Sequence, residues 1–313
     1  MRLTQETGQV AWGEIAPLPW FGSESFEQAE DFCQQLGNVV TEETIFSIPA
    51  ALPACQFGFE SAWEALQEQI PENSLEAGSR RVDSHLSLDS SSFPCPSFLN
   101  PKLKSSGLLP TGEAALEAWQ GLWHQGYDTF KWKIGVAPIE AELKLFNQLI
   151  QALPSEAKLR LDANGGLSKS EAEAWLQVCD GGDRAKVEFL EQPLPVEQFD
   201  ALLKLSHQYS TPIALDESVS TLKELESCYQ QGWRGIFVIK AAIAGSPKRL
   251  RHFCQTYEID SVFSSVFESA IGRQAALQLA AKLSHPNRAI GFGINHWFAE
   301  DDETWLENLW KHP

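Results

Sequence analysis

TFKWKIG, residues 129–135, places two lysines two apart at the end of an apolar run, and four later stretches repeat the plan. They are LRLDANG (159–165) with Asp162, VEFLEQP (187–193) with Glu191, IALDES (213–218) with Asp216 and IFVIKAA (236–242) with Lys240. From Lys133 onward these charges are spaced by 29, 29, 25 and 24 residues. That spacing suits one strand, one loop and one crossover helix in a parallel chain. Each charge therefore ends a different strand. Barrels of this kind carry chemistry at the C-terminal ends of their strands, so three acids flanked by lysines read as one assembled site.

Working outward, the pattern predicts strands near 107–109, 129–134, 158–163, 187–192, 212–217, 235–241, 260–266 and 289–293. Capping boxes at Ser168/Glu171 and Thr221/Glu224 and a Ser246-Pro247 start punctuate the helices between them. Gly126, Gly181 and Gly232 are expected just past helix ends. Ile139, Leu143, Phe146, Ile150 and Leu153 form one helical stripe. Eight strands alternating with helices make the fold class α/β, and their continuous apolar runs favour a closed barrel over an open sheet.

Before the barrel, residues 1 to about 86 form a separate unit. It has strands near RLTQ and QVAWGEI, a turn-rich PLPWFGSES loop and helices over 26–36 and 59–69. The Ser- and Pro-rich stretch SLDSSSFPCPSFLNPKLKSSG reads as a linker. The domain expectation is 1–100 for the N-terminal α+β unit, 101–293 for the barrel and 294–313 for an acidic, Trp-rich tail that packs elsewhere.

The net charge of −18 over 313 residues opposes nucleic acid and anionic membrane partners. The six cysteines are scattered with no CxxC pair, which fits reduced, buried thiols in a cytoplasm. No apolar run approaches the roughly 20 residues that span a bilayer. The polar start MRLTQETGQVAWGE lacks the apolar core of a signal peptide.

Three carboxylates from three strands make a hard oxygen site suited to Mg²⁺ or Mn²⁺. The histidines show no HExxH or HxH pattern and the thiols no cluster, which disfavours zinc. Asn164 shares a face with Asp162 if that strand continues, as an auxiliary ligand or a neighbour of the ligands. Lys131 and Lys133 share the other face from Trp132, which points into the helix layer. Two lysines beside a divalent cation push at least one towards the neutral amine, a base. Lys240, from the far side, offers a second acid/base or a fixed cation. Together these parts suit removal of a proton α to a carboxylate. Taken singly, each acid or lysine is more simply a solvated or salt-bridged loop residue; the ordered succession on consecutive strands is what structural charges have no reason to keep. Ser264 and Ser265 in SSVFES can hold a substrate carboxylate or merely form a turn.

Lys-x-Lys, DAN, EQP, DES and the later lysine resemble the muconate-lactonizing branch of the enolase superfamily. GEIAPLPWFGSES and FGFESA (57–62) resemble the capping-domain loops of its o-succinylbenzoate synthase family, with Phe21 and Gly22 as substrate-binding candidates. The resemblance implies a modified (β/α)₇β barrel with an N-terminal α+β capping domain, to which the tail returns. It implies Asp162, Glu191 and Asp216 as Mg²⁺ ligands, with Mn²⁺ a possible substitute, and Lys133 as the acid/base. Lys131 assists Lys133, and Lys240 steadies the enediolate. The implied reaction is syn elimination of water from 2-succinyl-6-hydroxy-2,4-cyclohexadiene-1-carboxylate to 2-succinylbenzoate, towards menaquinone or phylloquinone. Against the family pattern the first strand of the cap is expected to be missing, through an upstream start or a reduced cap.

Relatives with the same barrel residues racemise N-acylamino acids, epimerise dipeptides or cyclise muconate. The epimerases usually carry DxD after the eighth strand, where this chain reads GFGINHWF. Racemisation begins with the same proton abstraction and stands as the alternative. A silent barrel acting as a binding protein predicts loss of a lysine or ligand, and none is lost. The expected partner is a small-molecule carboxylate, and the chain is either a monomer or a homo-oligomer.

Overall fold

A computed structural model describes residues 1–68, 81–83, 103–181 and 185–293. The tail expected over 294–313, most of the expected linker and Cys95 lie outside the described residues.

The N-terminal unit contains β1 (Arg2–Gln5), β2 (Val10–Trp12), α1 (Phe26–Leu36), β3 (Val39–Thr41), α2 (Glu42–Phe46), α3 (Pro53–Glu68) and β4 (Arg81–Asp83). Its strands form one antiparallel sheet in the order β2-β1-β4-β3. A capping box between Ser25 and Gln28 starts α1. The buried carboxylate of Glu24 accepts the N–H groups of Ala54 (3.0 Å) and Cys55 (2.8 Å) at the start of α3. Leu3, Val40, Ile45, Phe59 and Trp63 fill the core between sheet and helices.

The second unit runs β5 (Gly107–Leu109), α4 (Ala115–His124), β6 (Thr129–Lys133), α5 (Ile139–Ala152), β7 (Lys158–Asp162), α6 (Lys169–Gly181), β8 (Val187–Glu191) and α7 (Phe199–Gln208). It continues through β9 (Ile213–Leu215), α8 (Leu222–Gln230), β10 (Ile236–Ile239), α9 (Ala241–Ala244), α10 (Pro247–Tyr257), β11 (Ser261–Phe263) and α11 (Ala270–Leu283). The seven strands β5 to β11 are parallel and pair in chain order. The eighth strand expected over 289–293 contributes two bridges only, Ile290 with Ser105 and Gly291 with Ser264. These close the ring, since Ile290 bonds Lys104 and Ser106 (2.8 and 2.9 Å) while Gly291 bonds Phe263 and Ser265 (2.7 and 3.1 Å). Glycine is required there: a Cβ on Gly291 would stand 2.5 Å from Ser264 Oγ.

Ridges of the helices cover the outer face of the ring. Trp132 turns outward as expected and meets Trp175 of α6 edge-on at 6.3 Å, and Phe146 of α5 meets Trp175 at 5.4 Å. Inside the ring Phe189, Ala214, Ile236, Val238 and Val262 form a separate cluster. Buried Arg160 lies over Phe189, donates to Glu188 at 2.7 Å and reaches the Ala289 carbonyl at 2.6 Å, which ties the closing segment to β7 and β8.

Two expectations of local structure change. FGFESA is not a loop; it lies inside α3, whose first turn begins six residues earlier than expected at 59. Its residues are buried because this helix is the seam between the units: Glu60 accepts from Ser246 Oγ (2.8 Å) and Lys248 N (3.1 Å), and Gln56 from Ser246 N (3.1 Å). From the loop after β2, Glu14 accepts the N–H groups of Ser269 and Gly272 (both 2.8 Å) at the start of α11. Gly181 belongs to α6 rather than following it, whereas Gly126 and Gly232 fall past helix ends with φ of 94° and 100°. No helix among the described residues is long and apolar enough to cross a membrane.

Candidate active site

Parallel register sets Lys133 beside Asp162 and Asp162 beside Glu191, so three adjacent strands end in one row of charges. Paired residues of neighbouring strands point to the same face. Lys131, one pleat below, extends its ammonium up into that row, 2.8 Å from Asp162 Oδ2 and 2.9 Å from Glu191 Oε1. Burial alone would lower its pKa, but the two carboxylates overcome this and hold it above the ordinary lysine value. Lys131 is thus a fixed cation.

Asp216 stands just beyond β9, at the N-cap of a 3₁₀ turn over Glu217–Val219, and Lys240 just beyond β10 at the N-cap of α9. Their side chains form a buried ion pair. The ring of Phe21, from the N-terminal loop, lies 4.6 Å from the Lys240 ammonium. Gly22 beside it sits over Ser220 and Glu224, with φ of 89°. Burial drives the Lys240 ammonium down to about 7, with Glu191 and Asp162 opposing the fall and Lys131 adding to it. Burial thus works against the Lys240 charge while its contact with Asp216 favours the ammonium, and Lys131 is not moved towards the neutral form by crowding with Lys133. Lys133 itself is exposed at the mouth and makes no ion pair among the described residues. Because β6 and β10 are four places apart in a ring of eight, Lys133 and Lys240 approach the site from opposite walls.

The carboxylates differ in environment. Burial pushes Asp162 up, yet its pairing with Lys131 prevails and holds it below the usual range. Glu191 is raised, because its burial outweighs Lys131 and Asp162 repels it further. Asn164 does not continue the strand, which ends at Asp162; it turns back at φ 44°. Its N–H donates to Asp162 Oδ1 (3.0 Å), and its amide donates to Asp162 Oδ2 (3.3 Å) and Glu217 Oε1 (3.1 Å). Asn164 therefore orients a carboxylate with its donors.

Glu217 was not singled out in the sequence, although it stands next to Asp216 in DES. It is raised by burial, feels the charges of Asp162 and Glu191, and keeps Oε2 buried without a hydrogen bond among the described residues. Ser264 and Ser265 follow β11 beside the closing segment. Ser264 Oγ donates to Gly291 O at 3.3 Å, and Ser265 Oγ is buried with no hydrogen-bond partner among the described residues.

Asp162, Glu191, Asp216 and Glu217 thus face two buried or half-buried lysines, Lys131 and Lys240. The surplus of two negative charges, with an orphaned carboxylate oxygen among them, suits one divalent cation with hard oxygen ligands. As they stand, no three acidic, histidine or cysteine side chains among the described residues converge on one point. The lysines hold the carboxylates that an ion would draw together. Cys55, Cys179, Cys228 and Cys254 are buried and Cys33 half-buried, all as free thiols.

The chain matches the family model described as enolase C-terminal domain-like over residues 114–309, and the model described as MenC, N-terminal domain, over 1–66. It is 41% identical over 318 residues to the o-succinylbenzoate synthase of Thermosynechococcus vestitus, covering 99% of this chain and 89% of that protein. The crystal structure of o-succinylbenzoate synthase from Thermosynechococcus elongatus BP-1, complexed with Mg in the active site, is similar at a TM-score of 0.84 and 39% identity. That likeness covers 100% of this chain and 90% of the other. A dipeptide epimerase from Cytophaga hutchinsonii, complexed with Mg and D-Ala-L-Val, shares the fold at a TM-score of 0.71 and 18% identity, over 96% and 80% of the two chains.

Proposed function

Since the chain belongs to the o-succinylbenzoate synthase family of the enolase superfamily, we propose how its own residues carry that family's dehydration. It is a lyase, and the reaction removes water from 2-succinyl-6-hydroxy-2,4-cyclohexadiene-1-carboxylate to give 2-succinylbenzoate, a step in menaquinone or phylloquinone biosynthesis. The observation that carries the residue assignment is the row Lys133, Asp162, Glu191 in one register, with Lys240 on the opposite wall.

Asp162, Glu191 and Asp216 would hold Mg²⁺, with Mn²⁺ as a possible substitute. When bound, the ion supplies positive charge that makes the substrate's α proton more acidic. Lys133 takes the proton from the ring carbon next to the carboxylate. The resulting charge spreads onto that carboxylate, where Lys240 opposes it as a cation from the other face. Lys133 then returns its proton to the departing hydroxyl on the same face, which leaves as water in a syn elimination. Lys131 stays charged and keeps Asp162 and Glu191 aligned. Phe21 and Gly22 close the site from the N-terminal side, while Ser264 and Ser265 offer hydroxyl and amide groups to a substrate carboxylate. Aromatisation of the ring favours product, so the protein's task is to lower the energy of the charged intermediate.

In this reading residues 1–100 form the cap and 101–293 the barrel, and the enzyme works in the cytoplasm. The test is metal removal. Exhaustive chelation is expected to abolish dehydration and added Mg²⁺ or Mn²⁺ to restore it; turnover that survives chelation contradicts the assignment.

A further inference from the structure

Gln192 follows Glu191 directly and is fully buried, at 0% exposure. Its backbone adopts φ of 36°, a left-handed conformation that non-glycine residues seldom take and that gathers at functional sites. Every hydrogen-bonding position of its amide is used. Oε1 accepts from Asp216 N (3.0 Å) and Ser218 N (3.2 Å), and Nε2 donates to Leu194 O (2.9 Å) and Ser218 Oγ (2.8 Å). Two acceptor sites and two donors are all that a primary amide has. The backbone is engaged as well: Gln192 N donates to Ala214 O at 2.8 Å, and Gly165 N donates to Gln192 O at 2.7 Å.

One residue therefore joins the loops that follow Asp162, Glu191 and Asp216. Where β9 stops at Leu215, the Gln192 side chain takes over from the strand ladder and fixes the turn that presents Asp216. We propose that Gln192 is a positioning residue that sets the place of Asp216 relative to Glu191, and through it the affinity of the site for its divalent cation. This rests on the metal reading given above. Among neutral side chains only asparagine carries the same planar amide, on a stem one methylene shorter, and a glutamate at this position would set an oxygen against the Leu194 carbonyl.

The test is Mg²⁺ binding by calorimetry, with thermal melts in chelator, on wild type, Gln192→Met, Gln192→Glu, Ser218→Ala and Asp216→Asn. Gln192→Met and Gln192→Glu are expected to weaken Mg²⁺ binding by about 10-fold or more, with part of the lost turnover recovered at saturating metal. Ser218→Ala breaks one of the four amide bonds and is expected to weaken binding less. A purely structural role predicts lower melting temperatures with an unaltered dissociation constant, and that result overturns the proposal. If both Gln192 variants fail to fold, Ser218→Ala decides, since unaltered affinity there overturns it equally. Wild type that takes up no Mg²⁺, like Asp216→Asn, overturns the metal reading and this proposal together; wild-type binding with unaltered variants overturns this proposal alone.

Discussion

Lys131 shows how much one side chain decides in this site. Its ammonium is the common partner of Asp162 and Glu191, both nearly buried at 6% and 1% exposure. Removing it leaves two carboxylates facing each other with little water to screen them. Lys131→Met is expected to lower the stability of the metal-free protein by on the order of 3 kcal/mol, measured by urea denaturation in chelator. Mg²⁺ should recover more stability in this variant than in wild type, because the cation then has no competing ammonium. An unchanged urea midpoint contradicts the role of Lys131 as the clamp of the row. The ring order of Lys131, Lys133, Asp162, Glu191, Asp216 and Lys240 was legible in the sequence because each lies at or near a strand end, whereas Asn164 was expected to share a face by continuing its strand and instead turns back. Glu217, the second acid of DES, was passed over beside Asp216. The work of Gln192 was not legible, since it depends on a positive φ and on a turn made by residues 24 and 26 positions later.

At the scale of elements, the seven barrel strands β5 to β11 were legible, while β3 and β4 of the N-terminal unit were missed and several strand ends lay elsewhere than expected. β9 and β10 end before Asp216 and Lys240 because side-chain and cap contacts replace the ladder there. FGFESA was read as a loop from its resemblance to capping-domain loops, although a helix was expected from 59; its residues are buried on all sides, Gln56 and Glu60 included, so no amphipathic stripe marks the earlier start of a helix held between two units. That burial has a consequence for pH. Glu60 in α3 is raised above its ordinary value of 4.5, chiefly by burial, with Ser246 and Lys248 opposing. The folded protein then holds this proton to higher pH than the unfolded chain does. Between the unfolded and folded pKa values the native state binds more protons, so stability falls as pH rises past 4.5. Glu60→Gln keeps an acceptor oxygen for Ser246 and Lys248 and removes the titration. Urea midpoints compared from pH 4 to 8 should favour the variant more at the alkaline end than at the acid end. A constant gap between the two proteins over that range contradicts the linkage.

For the whole molecule, the decisive relation is between a barrel that supplies the charges and a cap that closes over them. Phe21 over Lys240, Glu14 at the start of α11 and Glu60 against α10 bring the two units together around the mouth. The order of charges around the ring gave the reaction class directly, since it is a property of the strand succession. Closure by two bridges instead of a full eighth strand was not legible, because a stretch of apolar residues with glycines at 291 and 293 carries the same pattern whether it pairs fully or briefly. The central claim is that Lys133 moves the proton while Lys240 opposes the charge from the other wall. The most direct measurement is the absorbance change on incubating wild type, Lys133→Ala and Lys240→Ala with 2-succinyl-6-hydroxy-2,4-cyclohexadiene-1-carboxylate and Mg²⁺, each variant first checked for an unaltered fold by circular dichroism. Loss of an acid/base is expected to cost at least about 10²- to 10⁴-fold in rate, so the account predicts formation of 2-succinylbenzoate by wild type and essentially none by either variant. Near-normal turnover by a folded Lys133→Ala or Lys240→Ala protein would contradict it.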